Sequence, residues 1–183
     1  SRAKLSVDFP ANFMLIASMN PCPCGFFNHP EKECVCPEGV RKRYLNKISG
    51  PLLDRIDLHV EVTPVSYQEL SRYENESETS EQIRQRVIMA RQIQQERFKD
   101  VQNIHCKAQM PRKMVREVCK PDNAGTIILK TAMENLQLSA RAFDRILKVA
   151  RTAADMDESA RIDTQHIAQA IHYRQLDRDG WLG

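Results

Sequence analysis

The sequence has 183 residues, of which 42% are hydrophobic and 28% are charged, and this length is enough to bury a core in one or two domains. The formal net charge of +3, from 27 Lys and Arg against 24 Asp and Glu, is too small to indicate nucleic-acid binding by itself. None of the six glycines is followed by lysine or spaced as Gly-x-Gly, which excludes a P-loop and a dinucleotide-binding turn within these residues.

The first predicted element is the apolar run at 13–19, which lies between Pro10 and Pro21. A short run that is apolar on both faces and bounded by prolines predicts a buried strand of a parallel sheet. Asn20 follows this strand at its carboxyl end, where open α/β sheets bind their ligands. The run is too short to span a bilayer and residues 1–4 do not resemble a secretory signal, so we expect a cytoplasmic protein.

The next feature is a pair of Cys-x-Cys motifs, formed by Cys22, Cys24, Cys34 and Cys36. In a reducing compartment, paired cysteines indicate metal or redox chemistry more often than structural disulfides. Four thiolates could complete a tetrahedral zinc site, and Gly25 would permit a tight turn after the first pair. A single intervening residue is a tighter spacing than the usual Cys-x-x-Cys, so disulfides, a redox switch and plain thiols remain alternatives. His29 could replace one ligand.

Two groups of basic residues offer contacts with anions. Arg41, Lys42 and Arg43 follow the cysteines and form either a solvated face or a contact with nucleic-acid phosphates. Arg55 lies in a Pro-Leu-Leu-Asp-Arg-Ile-Asp segment, where it forms either a weak surface ion pair or a contact with an anionic ligand. The second interpretation suits a guanidinium, which is always charged and binds phosphate oxygens bidentately. A second strand is predicted at 57–62, where apolar and polar residues alternate.

Beyond residue 64 the pattern becomes helical. Capping boxes at 66–69 and at Thr79–Gln82 predict a short helix and a longer one, joined by an acidic, serine-rich linker. Three further helices are predicted from the caps Asn123, Ser139, and Asp163 or Thr164. Arg141 falls in the first turn of the helix after Ser139, where the macrodipole disfavours a cation. This position favours an anionic ligand, although exposed arginines at helix starts are common.

Three motifs occur in a specific order: Met-Asn-Pro-Cys-Pro-Cys-Gly at 19–25, Ser-Gly-Pro-Leu-Leu-Asp-Arg-Ile-Asp at 49–57, and Leu-Ser-Ala-Arg-Ala-Phe-Asp-Arg-Ile-Leu at 138–147. With them the sequence resembles the magnesium-chelatase-like AAA+ ATPases of the ComM/YifB type over essentially the whole chain. The resemblance implies that Asn20 is sensor 1, which helps to position the attacking water. It also implies that Arg55 is the arginine finger for the ATP of a neighbouring subunit, and that Arg141 is sensor 2.

The resemblance further implies an α/β plus α fold, the C-terminal fragment of an AAA+ core with parallel-sheet strands followed by a helical lid bundle. Residues 1–64 would end the core, with a cysteine-bearing insertion at 21–37. Residues 65–80 would form a helix and an acidic linker, and residues 81–183 the helical lid. The Walker A and Walker B segments would lie upstream, so this part alone would not hydrolyse ATP.

The activity that the resemblance implies belongs to the full-length protein. We expect a cytoplasmic hexameric ring that binds ATP and Mg²⁺ and remodels DNA by branch migration, with no membrane partner. The resemblance does not imply a structural Zn²⁺, which is a hypothesis from the four cysteines alone. The alternatives are a motor subunit for metal insertion into a porphyrin and a stand-alone zinc-containing nucleic-acid-binding module.

Overall fold

The computed structural model describes residues 6–9, 13–65 and 78–174. The regular structure in these ranges is helical: α1 Glu38–Leu45, α2 Gly50–Leu53, α3 Ser80–Phe98, a 3-10 helix Lys107–Gln109, α4 Arg112–Val118, α5 Asn123–Asn135, α6 Ala140–Met156 and α7 Thr164–His172. The predicted capping box at 66–69 and most of the predicted linker lie outside the described residues. Among the helices that are described, none combines the length and apolar character needed to cross a membrane.

The predicted α/β core is wrong. Residues 13–19 and 57–62, which were expected to be strands of a parallel sheet, have no regular secondary structure. Phe13 and Ile16 are 74% and 83% exposed, whereas a central strand would bury both. A strand exists only as part of a hydrogen-bonded ladder, and the β pairing within the described ranges is a single isolated bridge between Pro121 and Ile162. The apolar run indicated burial, but it carried no information about a pairing partner.

The predicted helix starts fit the structure closely. The capping box at Thr79 is confirmed, because Gln82 N donates to Thr79 Oγ1 at 3.2 Å and Thr79 N donates to Gln82 Oε1 at 2.8 Å. Ser139 caps α6 as expected, since its hydroxyl accepts a hydrogen bond from the third residue along the helix. Helix α5 is capped by Asp122, one residue before the predicted cap Asn123. These short-range signals locate the helices to within about one residue.

The helical core forms around α6, which packs against α3, α4 and α7, while α5 packs against α7. Small residues such as Ala150 and Ala154 are fully buried on α6 and let the neighbouring helices approach closely. The N-terminal half of α3 does not join this core, because Ile83 and Val87 remain exposed. The residues that form the core are Phe98, Met110, Val115, Cys119, Leu129, Ile146, Leu147, Ala150, Ala154, Ile162, Ile167 and Ala170.

A buried ionic cluster lies at the end of α6 around Asp155. Its carboxylate accepts two hydrogen bonds from Arg97, at 2.6 and 2.8 Å, and one from Arg151 Nε at 3.0 Å. It also pairs with Lys107, which is itself buried. Burial pushes the pKa of Asp155 upwards, but the hydrogen bonds from Arg97 and Lys107 outweigh burial and lower it below its usual value. The ionised carboxylate therefore joins α3, the 3-10 helix and α6.

Candidate functional site

The four paired cysteines converge on one point in the N-terminal region. Cys22 Sγ lies 3.3 Å from Cys24 Sγ and 3.7 Å from Cys34 Sγ, and all four sulfurs, including that of Cys36, lie within 4.8 Å of one another. Four sulfurs around a tetrahedral zinc, each about 2.3 Å from the metal, lie about 3.8 Å apart. The observed spacing is close to this arrangement, so the cluster fits Zn²⁺. With all four positions filled by thiolates, such a site is structural, because no position is left for a reacting water.

The turns around the cysteines explain how this short loop brings the sulfurs together. Gly25 has φ +82°, a conformation that glycine adopts without strain, and its N–H donates to Cys22 O at 3.0 Å. His29 lies between the two pairs, and its Nδ1 accepts hydrogen bonds from the backbone N–H of Glu31 and Lys32 at 3.0 and 3.1 Å. The imidazole therefore stabilises the loop and is not part of the four-sulfur group.

The electrostatics of the cluster favour a cation. A hydrogen bond with the backbone of Phe26 lowers the pKa of Cys24 to about 6, while burial raises the pKa of Cys36 to about 11. Four thiols this close cannot all ionise without a positive charge between them, because each thiolate raises the cost of the next. A divalent metal ion supplies that charge and binds the thiolate form.

The predicted basic cluster after the cysteines has two roles in the structure. Arg41 is half-buried, donates to Cys36 O at 3.1 Å and stacks 4.6 Å from the ring centre of Phe27, so it joins α1 to the cysteine loop. Lys42 is exposed and pairs with Glu38 at 2.7 Å, whereas Arg43 is exposed at the surface. Of the three candidate nucleic-acid contacts, Arg41 is therefore already engaged within the protein.

Arg55 and Arg141 are brought into one region by Asp54. Arg55 is exposed on the turn after α2, and one of its guanidinium nitrogens donates to Pro51 O at 2.6 Å. The carboxylate of the preceding residue, Asp54, accepts a hydrogen bond from Ser139 Oγ at 2.9 Å and pairs with Arg141 at 3.2 Å. The start of α6 is thus fixed beside the turn that bears Arg55, and Arg141 remains 55% exposed.

A second ion pair strengthens this junction. Arg145, one turn after Arg141 on α6, pairs with Asp57. The role of Asp54 and Asp57 in joining the turn to α6 was missed at the sequence level, where both residues were noted only as flanks of Arg55. Their position on either side of an arginine was a signal, but their partners are 85 to 88 residues away in the chain.

Asn20 belongs to the cysteine loop. Its side chain is exposed at the start of the loop and lies near Gly25. A β-carbon added to Gly25 would be 3.9 Å from Asn20 Nδ2. The hydrogen bonds found among the described residues do not join Asn20 to Arg55 or Arg141. The structure therefore brings together four candidate metal ligands at one point and two candidate anion-binding arginines at another.

Comparisons with known proteins test the resemblance inferred from the three motifs. Residues 1–70 match the magnesium chelatase subunit ChlI family, and residues 77–174 match the C-terminal family of the same subunit. The chain is 38% identical over 178 residues to Competence protein ComM of Haemophilus influenzae and, again at 38%, to the uncharacterized protein YifB of Escherichia coli. It is 34% identical over 167 residues to an uncharacterized protein of Mycobacterium bovis.

These matches cover nearly all of this chain but only part of each relative. They cover 97% of this chain for ComM and YifB and 91% for the mycobacterial protein, but only 34% and 32% of those relatives. The chain thus spans about a third of the length of the curated relatives it matches. Because the matched regions include all three motifs, the resemblance is confirmed, and the chain belongs to the magnesium chelatase ChlI family together with ComM and YifB.

Proposed function

We propose that, in the full-length protein, this chain completes and senses an ATP site in a ring-shaped, hexameric AAA+ ATPase. Arg55 is the arginine finger that reaches the ATP of a neighbouring subunit, Arg141 is sensor 2, and Asn20 is sensor 1. The observation that best supports this assignment is the Asp54 bridge, which holds the first turn of α6 beside the turn bearing Arg55. Two cationic side chains in one exposed region suit the binding of a polyphosphate.

The surroundings of Arg55 support a role outside its own chain. Its side chain is exposed, and among the described contacts it uses one N–H on Pro51 O. A guanidinium has five N–H donors in a planar fork, which leaves the others for phosphate oxygens. In nucleotide hydrolases a finger of this kind stabilises charge that develops on the transferred phosphoryl group and increases the rate by about 10³–10⁵.

Replacement of Arg55 in the full-length protein tests the proposal. Arg55→Ala should lower ATP turnover by about 10³-fold or more, because charge on the transferred phosphoryl group is no longer stabilised, while the affinity for ATP changes little. Arg84→Ala is the control, since Arg84 is an exposed arginine on α3 outside the turn. Normal turnover by Arg55→Ala would remove Arg55 from the finger role.

The cysteine loop is proposed to bind one structural Zn²⁺ through Cys22, Cys24, Cys34 and Cys36, on the basis of their sulfur positions. The metal would fold a segment that has little apolar core of its own, and it would place α1 through the contact between Arg41 and Cys36 O. It takes no part in ATP hydrolysis, because the four thiolates leave no open coordination position.

We further propose that the motor acts on DNA. The name of the Haemophilus relative associates that protein with competence, and this chain exposes Lys42 and Arg43 on α1, next to the cysteine loop. DNA should therefore stimulate ATP hydrolysis, and Arg43→Ala should weaken the stimulation while leaving basal turnover unchanged. If DNA has no effect on turnover, a different cargo, such as the metal-insertion partner of magnesium chelatase, is favoured instead.

A further inference from the structure

The turn that bears Arg55 is held from behind by a buried arginine. Arg174 follows α7, and its side chain is only 1% exposed. One guanidinium nitrogen donates to Ile56 O, 118 residues earlier in the chain, and the other lies 3.5 Å from Asp54 O. These two carbonyl groups belong to the residues immediately before and after Arg55. The same nitrogen also lies 3.5 Å from the carboxylate of Asp54.

Neighbouring contacts hold the same segment. The carbonyl of Tyr173 accepts a hydrogen bond from His59 N at 2.9 Å, and the His59 side chain donates from Nε2 to Leu53 O at 3.2 Å. The chain is therefore anchored at Leu53, on both sides of Arg55, and at His59. Arg174 lies two residues after the end of α7, so this anchor comes from the C-terminal end of the described helical region.

Burying a guanidinium carries an unfavourable desolvation free energy. Removing its charge from water is unfavourable unless good hydrogen bonds replace the water, and apolar residues of similar volume often stabilise a core better. Arg174 directs its donors to backbone carbonyls of the turn, where an apolar side chain would have no interaction to offer. This arrangement holds the backbone on both sides of Arg55.

Arg55 depends on that backbone for its position. Its own side chain is exposed and, among the described residues, is restrained by a hydrogen bond to Pro51 O. A group that stabilises a transition state must lie within hydrogen-bond distance of the developing charge, and a displacement of about 1 Å can reduce the rate by about 10²-fold. The position of the Arg55 guanidinium is therefore set by the residues that hold the Arg55 main chain.

We propose that Arg174 is a positioning residue for the arginine finger: its buried guanidinium binds the carbonyl groups on either side of Arg55 and sets the direction of the finger from the helical core. The proposal rests on the function proposed above for Arg55. It adds a residue from the far end of the described chain, one that contacts no nucleotide itself, to the machinery of ATP hydrolysis.

The test compares Arg174→Lys with Arg151→Lys in the full-length protein. Arg151 is a matched control, because it is also a buried arginine of the helical core but binds Asp155 and the carbonyls of Ser159 and Ala160. Arg174→Lys should lower kcat for ATP by about 10- to 100-fold with little change in KM, since the neighbour's ATP still binds. Arg151→Lys should lower the melting temperature and leave kcat per folded molecule unchanged.

A double substitution separates positioning from general damage to the fold. If Arg174 acts through Arg55, adding Arg174→Lys to Arg55→Lys should cause less than about a 2-fold further loss of kcat. Losses that multiply, or an unchanged kcat in Arg174→Lys, would overturn the inference. Arg174→Met, which keeps an unbranched but shorter and uncharged side chain, replaces the lysine variant if the latter does not fold. Normal turnover by Arg55→Ala would instead refute the proposed function itself.

Discussion

The N-terminal region, 13–65, and the helical region, 78–174, are stabilised in different ways. In the helical region the large apolar side chains are buried, and Ile146, Ile162 and Ile167 are completely inaccessible to solvent. In the N-terminal region Phe13, Ile16 and other apolar side chains are exposed, and burial is limited to a few positions. The helical region thus has its own hydrophobic core, whereas the described N-terminal residues are joined by the four-sulfur cluster and by contacts with the helices.

This difference bears on the turn that carries Arg55, the proposed arginine finger. The arginine-bearing turn belongs to the region without a core, but Asp54 and Asp57 bind it to α6, and Arg174 binds it to the end of α7. The turn is therefore held by contacts with the helical region. Because Asp54 binds the start of α6, the turn that bears Arg55, the proposed finger, is linked directly to Arg141, the proposed sensor.

The largest effect should come from disrupting the four-sulfur cluster. Elemental analysis of the purified protein should find about one zinc per chain, and Cys22→Ser should abolish zinc binding because it removes one of the four ligands. The effect should be large, since structural zinc binding contributes about 10–16 kcal/mol of folding free energy in small metal-dependent domains. Cys106→Ser, at a cysteine outside the cluster, should retain the metal. A protein that is metal-free and fully folded over 22–36 would contradict the site.

Chelation of the metal also tests the difference between the N-terminal and helical regions. Removing the metal should increase amide hydrogen exchange in the cysteine loop and in α1, while α6 and α7 remain protected, because the helical core does not use the metal. Equal loss of protection in both regions would show that they form one cooperative unit and are not stabilised in different ways.

The helical region should be most sensitive at its buried ionic cluster. Asp155→Asn removes the single carboxylate that Arg97, Lys107 and Arg151 share, and it should cost about 3–5 kcal/mol in the free energy of unfolding. Denaturant unfolding of Asp155→Asn, with the exposed Asp100→Asn as control, measures the effect. A loss below about 1 kcal/mol would show that the cluster does not hold the helices together.

The same carboxylate predicts an acid-sensitive helical region. Because its pKa is lowered in the folded protein, Asp155 contributes stability that is complete above the unfolded pKa of about 3.9 and is lost as the pH falls through the folded value. Comparing the free energy of unfolding of the unmodified protein and Asp155→Asn between pH 6 and pH 3 isolates this contribution. The difference between them should shrink as the pH falls, and a constant difference would refute the assignment.

A smaller effect is expected at the junction of the two regions. Ser139→Ala removes the cap of α6 and the hydrogen bond to Asp54, and it should cost about 1 kcal/mol, or about 2–4 °C in Tm for a chain of this size. Ser80→Ala, an exposed serine in the first turn of α3, is the control. Equal shifts in both variants would argue against a specific role of Ser139.

The parts of the structure that could be predicted from sequence are those that depend on neighbours in the chain. The capping residues Thr79 and Ser139 bind groups three residues away, and the spacing of the cysteines required only a short loop to bring the sulfurs together. The strand at 13–19 was predicted wrongly because hydrophobicity does not identify a pairing partner. The contacts of Arg174 with the turn could not be predicted either, since they join residues 118 apart.

We propose that Arg55 acts on the ATP of a neighbouring subunit. This proposal is tested most directly by mixing full-length Arg55→Ala subunits, which retain an intact nucleotide site, with subunits that retain Arg55 but cannot bind ATP. Neither should hydrolyse ATP alone, and the mixture should regain turnover, because the second type supplies its finger to the sites of the first. If the mixture stays as inactive as its components although mixed rings form, the claim is wrong.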